Sequence, residues 1–245
     1  MNLFDIHCHI LPGVDDGSKD LETSLEMLRI AYEDGTRDII LTPHYMLGRN
    51  TYTYQELDER FEQFKKDVAA TGEFPELKLY LGNEILYEVG IATKLREGDI
   101  HTMNGTRYIL VEYNIKIPFG EILDSLETMS QARFIPIIAH VERYHCLEGR
   151  LDRLDEMLDK GVLLQMNISS VDGGFLNENK HWCRKMIKKG YITFLGTDAH
   201  NEHSRAPYTQ EYIKWIKKKC GDDEAEFMLT EAPNMMIQGK YIDSY

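Results

Sequence analysis

The chain has 245 residues, of which 42% are hydrophobic and 28% are charged, a composition typical of a globular protein long enough for one barrel domain. Its formal net charge of -13 argues against nucleic acid as a general partner. No apolar run approaches the roughly 20 residues of a membrane span, and the first residues lack the basic and long apolar segments of a signal peptide. We therefore expect a single domain over residues 1–245, located in the cytoplasm and not inserted in a membrane.

The predicted elements alternate between strand and helix along the whole chain. Short apolar runs predict strands at residues 3–6, 38–41, 77–81, 108–111, 134–139, 162–166 and 191–195. Amphipathic spacing predicts helices through residues 21–32 and 57–68, with Gly35 and Gly72 near their ends, and further helices at residues 119–132, 151–160, 177–189 and 206–220.

This alternation is typical of an α/β protein with a parallel sheet. The sequence has about seven predicted strands and no Gly-x-Gly-x-x-Gly turn after any of them. Both features favour a single-domain distorted (β/α) barrel over a dinucleotide-binding sheet.

Nearly every predicted strand ends in a residue that can bind a metal. The first strand runs into His7 and His9, which strand alternation places on one face, and Asp16 lies in the loop beyond. The later strand ends carry the other candidate donors: His44, Glu84, Glu112, His140, Asp198 and His200. In a parallel barrel these ends open on one face, so the donors would converge there. Imidazole and carboxylate together suit Mn, Fe or Zn ions.

Each of these residues also has an ordinary structural explanation when taken alone. A single histidine is more often a hydrogen-bonded or surface residue than a ligand, and Glu112 could form a salt bridge. Asp15 and Asp16 could belong to a turn before a helix capped by Asp20. Chance would not place these residue types after six separate strands, so we favour a metal site. The other histidines lack this placement and are expected to be structural or peripheral: His101, His145, His181 and His203.

Several segments of the chain resemble a known superfamily. They are D-I-H-C-H-I-L-P-G-V-D-D-G, T-P-H-Y, G-N-E, V-E, A-H-V-E-R-Y, G-T-D-A-H and, near the C-terminus, L-T-E-A-P-N-M-M. In this order they resemble the polymerase and histidinol phosphatase (PHP) superfamily. Within it, the chain is most similar to the bacterial manganese-dependent protein-tyrosine phosphatases of capsule and exopolysaccharide operons. The resemblance spans the whole chain and implies a distorted (β/α) barrel with a centre of three metal ions.

The resemblance also implies which residues hold each ion. The first ion would be held by His7, His9, Glu84 and Asp198. Glu84 would bridge to a second ion that Glu112 and His140 also hold, and Asp16, His44 and His200 would hold the third. The family pattern points to Asp16 rather than Asp15, and this choice stays open. Manganese is the implied metal, although the same donors also accept Fe, Co or Zn.

Phosphate ester hydrolysis explains why such a centre is useful. A phosphate monoester is dianionic and repels hydroxide, so its hydrolysis needs charge neutralisation and a nucleophile at neutral pH. Clustered divalent ions clamp the phosphoryl oxygens and lower the pKa of bound water, which then attacks as hydroxide. Arg143 and Arg205 closely follow His140 and His200, and we predict that they add bidentate phosphate contacts. Either arginine could instead form a surface salt bridge of little energetic value.

Two further observations concern the substrate and the nucleophile. The residues after His44 could form a wall around an aryl ring or an ordinary solvated loop: Tyr45, Met46, Leu47, Arg49 and Tyr52. Thiol phosphatases place an arginine six positions after the nucleophilic cysteine, but here those positions hold Val14, Asp152, Lys189 and Glu226. The four cysteines form no C-x-x-C pair and are expected to be free thiols, with Cys8 turned into the core.

The sequence therefore predicts a metal-dependent phosphatase of phosphotyrosine in proteins, and the resemblance implies a tyrosine kinase of polysaccharide synthesis as its partner. A small-molecule phosphatase of the same superfamily, such as one for histidinol phosphate, is the nearest alternative. An amidohydrolase-type barrel also begins with H-x-H, but it leaves His44 and the D-x-H pair at the last strand unexplained. A non-catalytic metal-binding barrel is a third possibility. The oligomeric state is open.

Overall fold

The computed structural model describes residues 2–50, 52–172 and 179–243. Over these ranges all strand pairs are parallel. The strands are β1 (Leu3–Cys8), β2 (Thr36–Leu41), β3 (His44–Tyr45), β4 (Lys78–Leu81), β5 (Glu84–Leu86), β6 (Tyr108–Glu112), β7 (Ile135–Ile138), β8 (Leu163–Asn167) and β9 (Phe194–Gly196). The helices are α1 (Leu21–Glu33), α2 (Tyr54–Thr71), α3 (Ile91–Glu97), α4 (Phe119–Gln131), α5 (Leu151–Leu158), α6 (Lys180–Lys188), α7 (Gln210–Cys220), α8 (Asp222–Glu226) and α9 (Ala232–Ile237).

The sheet is a distorted barrel in which two of the predicted strands are each followed, after a break, by a further short strand. The strands form a three-stranded sheet, β1-β2-β4, and a six-stranded sheet, β3-β5-β6-β7-β8-β9. A bridge between Cys8 and Ala199 connects the end of β1 to the segment after β9. Pro43, which has no N–H to donate to a ladder, lies between β2 and β3, and Gly82 lies between β4 and β5. The prediction of an α/β barrel is confirmed. The described residues form nine strands rather than about seven, because the short strands β3 and β5 beyond the two breaks were not predicted.

Several predicted helix ends are confirmed. The Asp20 carboxylate accepts a hydrogen bond from Thr23 N at 2.9 Å and so caps α1 as expected. Helix α1 ends at Glu33, one residue beyond the predicted span, and Asp34 rather than Gly35 occupies its C-cap. Gly72 ends α2 in the left-handed conformation that glycine adopts without strain.

Other helix boundaries were predicted wrongly. Helix α7 begins at Gln210 rather than at residue 206, because the Asp34 carboxylate caps it there by accepting a hydrogen bond from Gln210 N at 2.9 Å. Helix α6 begins at Lys180; the first two residues of its predicted span, 177–178, lie outside the described residues. Helices α3, α8 and α9 were not predicted, because their apolar stripes are too short to stand out in the sequence.

The barrel interior is apolar and is covered at one end by the C-terminal segment. Phe4, Ile40 and Leu110 point into it, and Met236 of α9 and Ile242 pack against the same cluster. This leaves the carboxyl ends of the strands as the open face. Within the described residues, no helix combines the length and apolarity needed to cross a membrane. The single domain over residues 1–245 stays a prediction.

Candidate metal centre

The nine predicted metal-binding side chains all lie at the carboxyl-end face of the barrel. The breaks in two strands place His44 at the start of β3 and Glu84 at the start of β5, and these residues pair with each other in the ladder. Glu112 ends β6, His140 follows β7, and the Asp198 loop follows β9. The parallel topology therefore brings together donors that are far apart in the sequence.

The first group of donors is fully buried. His7, His9, Glu84 and Asp198 each offer one ligand atom, and these four atoms lie within 4.8 Å of one another. Glu84 Oε2 lies 3.2 Å from the Nε2 atoms of both His7 and His9. Asp198 Oδ1 lies 3.6 Å from the same two nitrogens. Two imidazoles and two carboxylates around one point form a donor set that suits a divalent transition metal.

Glu84 also belongs to a second group. His44 Nδ1 lies 3.1 Å from Glu84 Oε2 and 3.1 Å from Glu112 Oε1, and the three residues form a compact set of donors. His140 Nε2 approaches the same carboxylates, at 2.8 Å from Glu84 Oε1 and 3.7 Å from Glu112 Oε2. Glu84 thus faces both groups with its two oxygens, as a bridging ligand would.

The third group lies nearer to the surface. It contains His9, Asp16, His44 and His200, again with ligand atoms within 4.8 Å of one another. Asp16 Oδ1 lies 3.3 Å from His44 Nε2 and 3.6 Å from His200 Nε2. Asp16 is 69% exposed, so this group is open to solvent and to a substrate.

Three of the histidines are oriented by hydrogen bonds at the rear nitrogen. The Nδ1–H of His9 donates to Asp15 Oδ2 at 2.7 Å, that of His7 to Gln165 Oε1 at 3.2 Å, and that of His200 to the carbonyl oxygen of Asp198 at 2.9 Å. This leaves the Nε2 lone pair of each ring directed at the clusters, which is the usual arrangement of metal-ligating histidines.

Asp15 therefore has a different position from Asp16. Besides accepting from His9, its carboxylate accepts hydrogen bonds from the backbone N–H groups of His44 and Gly17, both at 3.0 Å. Burial alone would raise the pKa of Asp15, but His9 and these N–H groups outweigh burial and lower it well below its usual range. Asp15 holds His9 and His44 in place, and it belongs to none of the three donor groups.

The site has the charge pattern of a metal centre. Burial lowers the pKa of His9 and His44, but nearby carboxylates outweigh it and raise these pKa values to about 9 and about 12, respectively. Among the described residues, the buried His44 Nδ1 and Glu84 Oε2 atoms have no hydrogen-bond partner, although they lie only 3.1 Å apart. Two unpartnered atoms directed at one point fit a shared cation.

Both predicted arginines lie beside Asp198. Arg143 Nη2 donates to Asp198 Oδ2 at 2.6 Å, and Arg205 Nη2 lies 2.8 Å from Asp198 Oδ1. The two guanidinium groups also line a cavity of about 300 Å³, whose outer wall includes Tyr208 and Tyr212. They are partly buried residues of the site rather than solvated surface cations.

Strand β8 supplies amide side chains that the sequence analysis missed. Gln165 Oε1, besides accepting from His7, accepts from His140 N at 2.7 Å, and Gln165 Nε2 donates to Asn167 Oδ1 at 3.0 Å. Asn167 Nδ2 then donates to Asp198 Oδ2 at 2.8 Å. The sequence did contain a signal for this role, because Gln165 and Asn167 are polar residues in an otherwise apolar, fully buried strand.

Two of the donor residues have an unusual backbone conformation. His140 and Asp198 adopt positive φ values of 33° and 53°, which non-glycine residues rarely do. A Cβ atom on Gly17 would lie 2.2 Å from the carbonyl oxygen of His9, and one on Gly196 would lie 2.8 Å from the Cβ of His7. The loop after β1 and the end of β9 approach the first strand so closely that both positions need glycine.

The loop after His44 corresponds only in part to the predicted aryl wall. Tyr45 is buried in the core and Leu47 packs against it, so neither faces a substrate. Met46, Arg49 and Tyr52 border a second cavity of about 310 Å³, which Asp16 and His44 also line. Tyr52 also donates a hydrogen bond from its hydroxyl to the carbonyl oxygen of His44 and so helps to hold this residue in position.

The residues expected to be structural lie apart from the donor groups. His101 stacks on Tyr54 and pairs with Asp58 at 2.9 Å. His203 is exposed and belongs to none of the donor groups, although it lines the arginine-lined cavity. Cys8 is fully buried, as predicted.

Comparisons with known proteins agree with this architecture. The family model of capsular polysaccharide synthesis CpsB/CapC matches residues 3–238. The chain is 30% identical over 245 residues to the tyrosine-protein phosphatase CpsB of Streptococcus pneumoniae, covering 98% of this chain and 100% of the relative. It is 31% identical over 244 residues to the tyrosine-protein phosphatase YwqE of Bacillus subtilis, covering 98% and 93%, respectively.

A solved structure is similar over nearly the whole chain. It belongs to work on the crystal structures of YwqE from Bacillus subtilis and CpsB from Streptococcus pneumoniae, which are called unique metal-dependent tyrosine phosphatases. The TM-score is 0.88 at 30% sequence identity, and the match covers 98% of this chain and 96% of the other.

Proposed function

This chain belongs to the CpsB/CapC family of capsular polysaccharide synthesis, and we propose that it is a metal-dependent protein-tyrosine phosphatase that hydrolyses the phosphate ester of phosphotyrosine in a protein substrate. The observation that carries the proposal is the convergence of nine histidine and carboxylate side chains on one face, with two arginines beside them. A dianionic phosphate ester needs positive charge at this face, because the protein as a whole is acidic.

We assign three divalent metal ions to the centre, with manganese as the expected metal. The first would be held by His7, His9, Glu84 and Asp198, the second by Glu84, Glu112 and His140, and the third by Asp16, His44 and His200. When bound, such ions supply Lewis acidity toward the phosphoryl oxygens and lower the pKa of water. The unpartnered Glu84 Oε2 atom, which lies 3.2 Å from the Nε2 atoms of both His7 and His9, supports the first of these positions. Elemental analysis of the purified protein tests both the identity and the number of the ions.

The arginine-lined cavity is the site we propose for the phosphotyrosine side chain. Arg143 and Arg205 are placed to bind phosphate oxygens, since a guanidinium presents its N–H donors in a fork that fits two of them. Tyr208 and Tyr212 in the outer wall can contact the aryl ring. Asn167 holds Asp198 while the arginines bind the phosphate.

A phosphatase assay with a phosphotyrosyl peptide tests the function. Activity should disappear with a strong chelator, return with Mn²⁺, and survive alkylation of the thiols. Burial raises the pKa of Cys8, which makes it a poor nucleophile. Loss of activity on alkylating a folded, metal-loaded enzyme would contradict the proposal. A faster reaction with histidinol phosphate than with the peptide would favour a small-molecule phosphatase.

We propose a tyrosine kinase of polysaccharide synthesis as the natural substrate and the cytoplasm as the location. The family supports the link to capsule synthesis, and the names of the relatives support phosphotyrosine as the substrate. Purified autophosphorylated kinase from the same operon, incubated with the metal-loaded enzyme, should lose its phosphotyrosine signal on an immunoblot.

A further inference from the structure

The positive charge of this acidic chain is concentrated in one segment. Residues 180–220 carry ten of its 28 Lys and Arg residues but only three of its 41 Asp and Glu residues. This segment contains α6 and α7, which pack side by side with the turn after β8. A protein with a net charge of -13 therefore presents a local surface of opposite sign.

Six exposed lysines form what we call the α6–α7 basic surface. They are Lys185, Lys188, Lys189, Lys214, Lys218 and Lys219. Among the described residues none of the six forms an ion pair with a carboxylate, whereas nearby Lys217 is paired with Asp222 at 2.9 Å and Arg184 with Asp172 at 3.1 Å. Asp222 and Asp172 beside this surface are thus paired with other cations, and the charge of the six lysines is available to a partner.

Trp215 connects the two helices within this surface. The Arg184 guanidinium lies 4.6 Å from the centre of the Trp215 ring, and Lys188 Nζ lies 5.7 Å from it. Arg184 also donates to the carbonyl oxygen of Val171 at 2.7 Å, which ties α6 to the turn Ile168–Asp172. The basic surface is therefore fixed relative to this turn rather than being a set of independent side chains.

The same turn and the same helix reach the substrate cavity. Ile168 of the turn and Tyr212 of α7 line the arginine-lined cavity beside the metal centre. Tyr212, Trp215 and Lys219 are spaced i, i+3 and i+7, so they follow one face of α7 away from the cavity mouth. At 1.5 Å per residue this face extends about 10 Å, the length of roughly three residues of extended peptide.

We propose that the α6–α7 basic surface binds an acidic segment of the protein substrate that flanks the phosphotyrosine. This inference rests on the proposed function, since it takes the cavity as the site of the phosphotyrosine side chain. The chain that carries the phosphotyrosine must leave the cavity mouth, and this exit offers unpaired cations and a partly buried aromatic ring. Charge complementarity favours glutamate- and aspartate-rich flanks, and it speeds encounter as well as strengthening binding.

Two pairs of phosphotyrosyl peptides of equal length test the proposal. In the first pair, one peptide carries three glutamates on the N-terminal side of the phosphotyrosine and the other carries three glutamines there. In the second pair, the same residues lie on the C-terminal side. At low salt, in one of the two pairs, the wild-type enzyme should have a kcat/KM about five- to tenfold higher for the glutamate peptide than for the glutamine peptide. This preference should shrink at high salt.

A charge variant and a matched control locate the effect. In K214Q/K218Q/K219Q the ratio of kcat/KM for the acidic and glutamine peptides should fall toward one. The control K66Q/K160Q/K240Q removes three exposed lysines outside α6 and α7 and changes the net charge equally, so it should keep the wild-type ratio. Equal ratios in the wild type and both variants would overturn the proposal.

The remaining outcomes distinguish failure of the proposed function from failure of the docking surface. If the wild-type enzyme hydrolyses none of the peptides, the proposed function fails. If it hydrolyses all of them with no acidic preference, only the docking surface fails. A third outcome would assign the surface to a membrane and overturn the peptide proposal. In it, the wild type shows no preference for the acidic peptides but sediments with vesicles that contain anionic phospholipid, and K214Q/K218Q/K219Q sediments less.

Discussion

Asp198 shows how a single side chain organises the site. Its Oδ1 faces His7 and His9, while its Oδ2 accepts hydrogen bonds from Arg143 and Asn167. Burial would raise the pKa of Asp198, but His7 and Arg143 outweigh burial and lower this pKa well below its usual range. The carboxylate therefore stays ionised. The residue thus connects the buried donor group to the arginine-lined cavity.

Arg143→Ala should lower kcat/KM on a phosphotyrosyl peptide about 10²- to 10³-fold, because it removes a charge-assisted contact to the phosphate. The metal content and the fold should stay intact, since Asn167 still holds Asp198. Arg143→Lys should recover only part of the activity, because an ammonium cannot reproduce the bidentate fork. Steady-state kinetics and elemental analysis of each variant check this prediction, and near-wild-type kcat/KM for Arg143→Ala would contradict it.

Gln165→Leu should weaken metal binding about 10- to 100-fold, because His7 loses the acceptor that orients its ring and His140 loses an acceptor for its backbone N–H. Gln165→Glu keeps a side-chain oxygen at this position and should recover part of the affinity. Calorimetric titration of the metal-free variants with Mn²⁺ measures the difference. Equal affinities for the wild type and Gln165→Leu would show that β8 has no influence on the centre.

At the scale of elements, the strand breaks and the close loop contacts shape the centre. The breaks at Pro43 and Gly82 separate β2 from β3 and β4 from β5, and the pairing of β3 with β5 places His44 beside Glu84. The loop after β1 folds back so closely that Ser18 N donates to the carbonyl oxygen of His9 at 2.9 Å. Such contacts position Asp15 and Asp16 on either side of the first strand end.

Gly17→Ala should destabilise the protein by about 1–3 kcal/mol, because the added Cβ would lie 2.2 Å from the His9 carbonyl oxygen and force the loop to move. For a chain of this size the melting temperature should fall by roughly 3–10 °C. Gly120→Ala is the matched control, since a Cβ there meets open space in helix α4 and should be neutral or slightly stabilising. Thermal unfolding followed by circular dichroism distinguishes the two, and equal melting temperatures would rule out steric control by the loop.

At the scale of the whole molecule, a strongly acidic protein concentrates positive potential in two neighbouring places. One is the metal centre with Arg143 and Arg205, and the other is the α6–α7 basic surface. Without ions, burial lowers the pKa of His9, but Asp15 and Glu84 outweigh burial and raise this pKa to about 9, so a proton on His9 offsets part of the carboxylate charge. Metal binding must displace those protons.

The effect of Mn²⁺ on stability should therefore grow with pH between pH 7 and about 9. In the metal-free protein, His9 has a pKa raised above the usual 6.5, so its charged form stabilises the fold fully below pH 6.5 and this contribution is lost toward pH 9. Metal binding needs neutral His9 and strengthens over the same range. Melting temperatures with Mn²⁺ and with chelator, compared at pH 7.0, 7.8 and 8.5, test this. A constant difference would mean that no ligand proton is displaced in this range.

The sequence by itself determined the kind of site and the part of the fold that bears it. Strand periodicity, chain alternation and the residues at each strand end were enough for an α/β barrel with histidine and carboxylate donors on one face. These features are local, because each depends on a few neighbouring residues. The types and order of the donors could therefore be predicted without knowing any long-range contact.

Only the tertiary structure decided which side chains meet. It placed Asp15 behind His9 and Asp16 in front, turned both arginines toward Asp198, and brought the amides of β8 behind His7 and His140. It also set α7 beside the cavity, by means of the Asp34 cap that moved the start of this helix to Gln210. These relations join residues far apart in the sequence, and their distances depend on strand breaks and loop paths that no local pattern encodes.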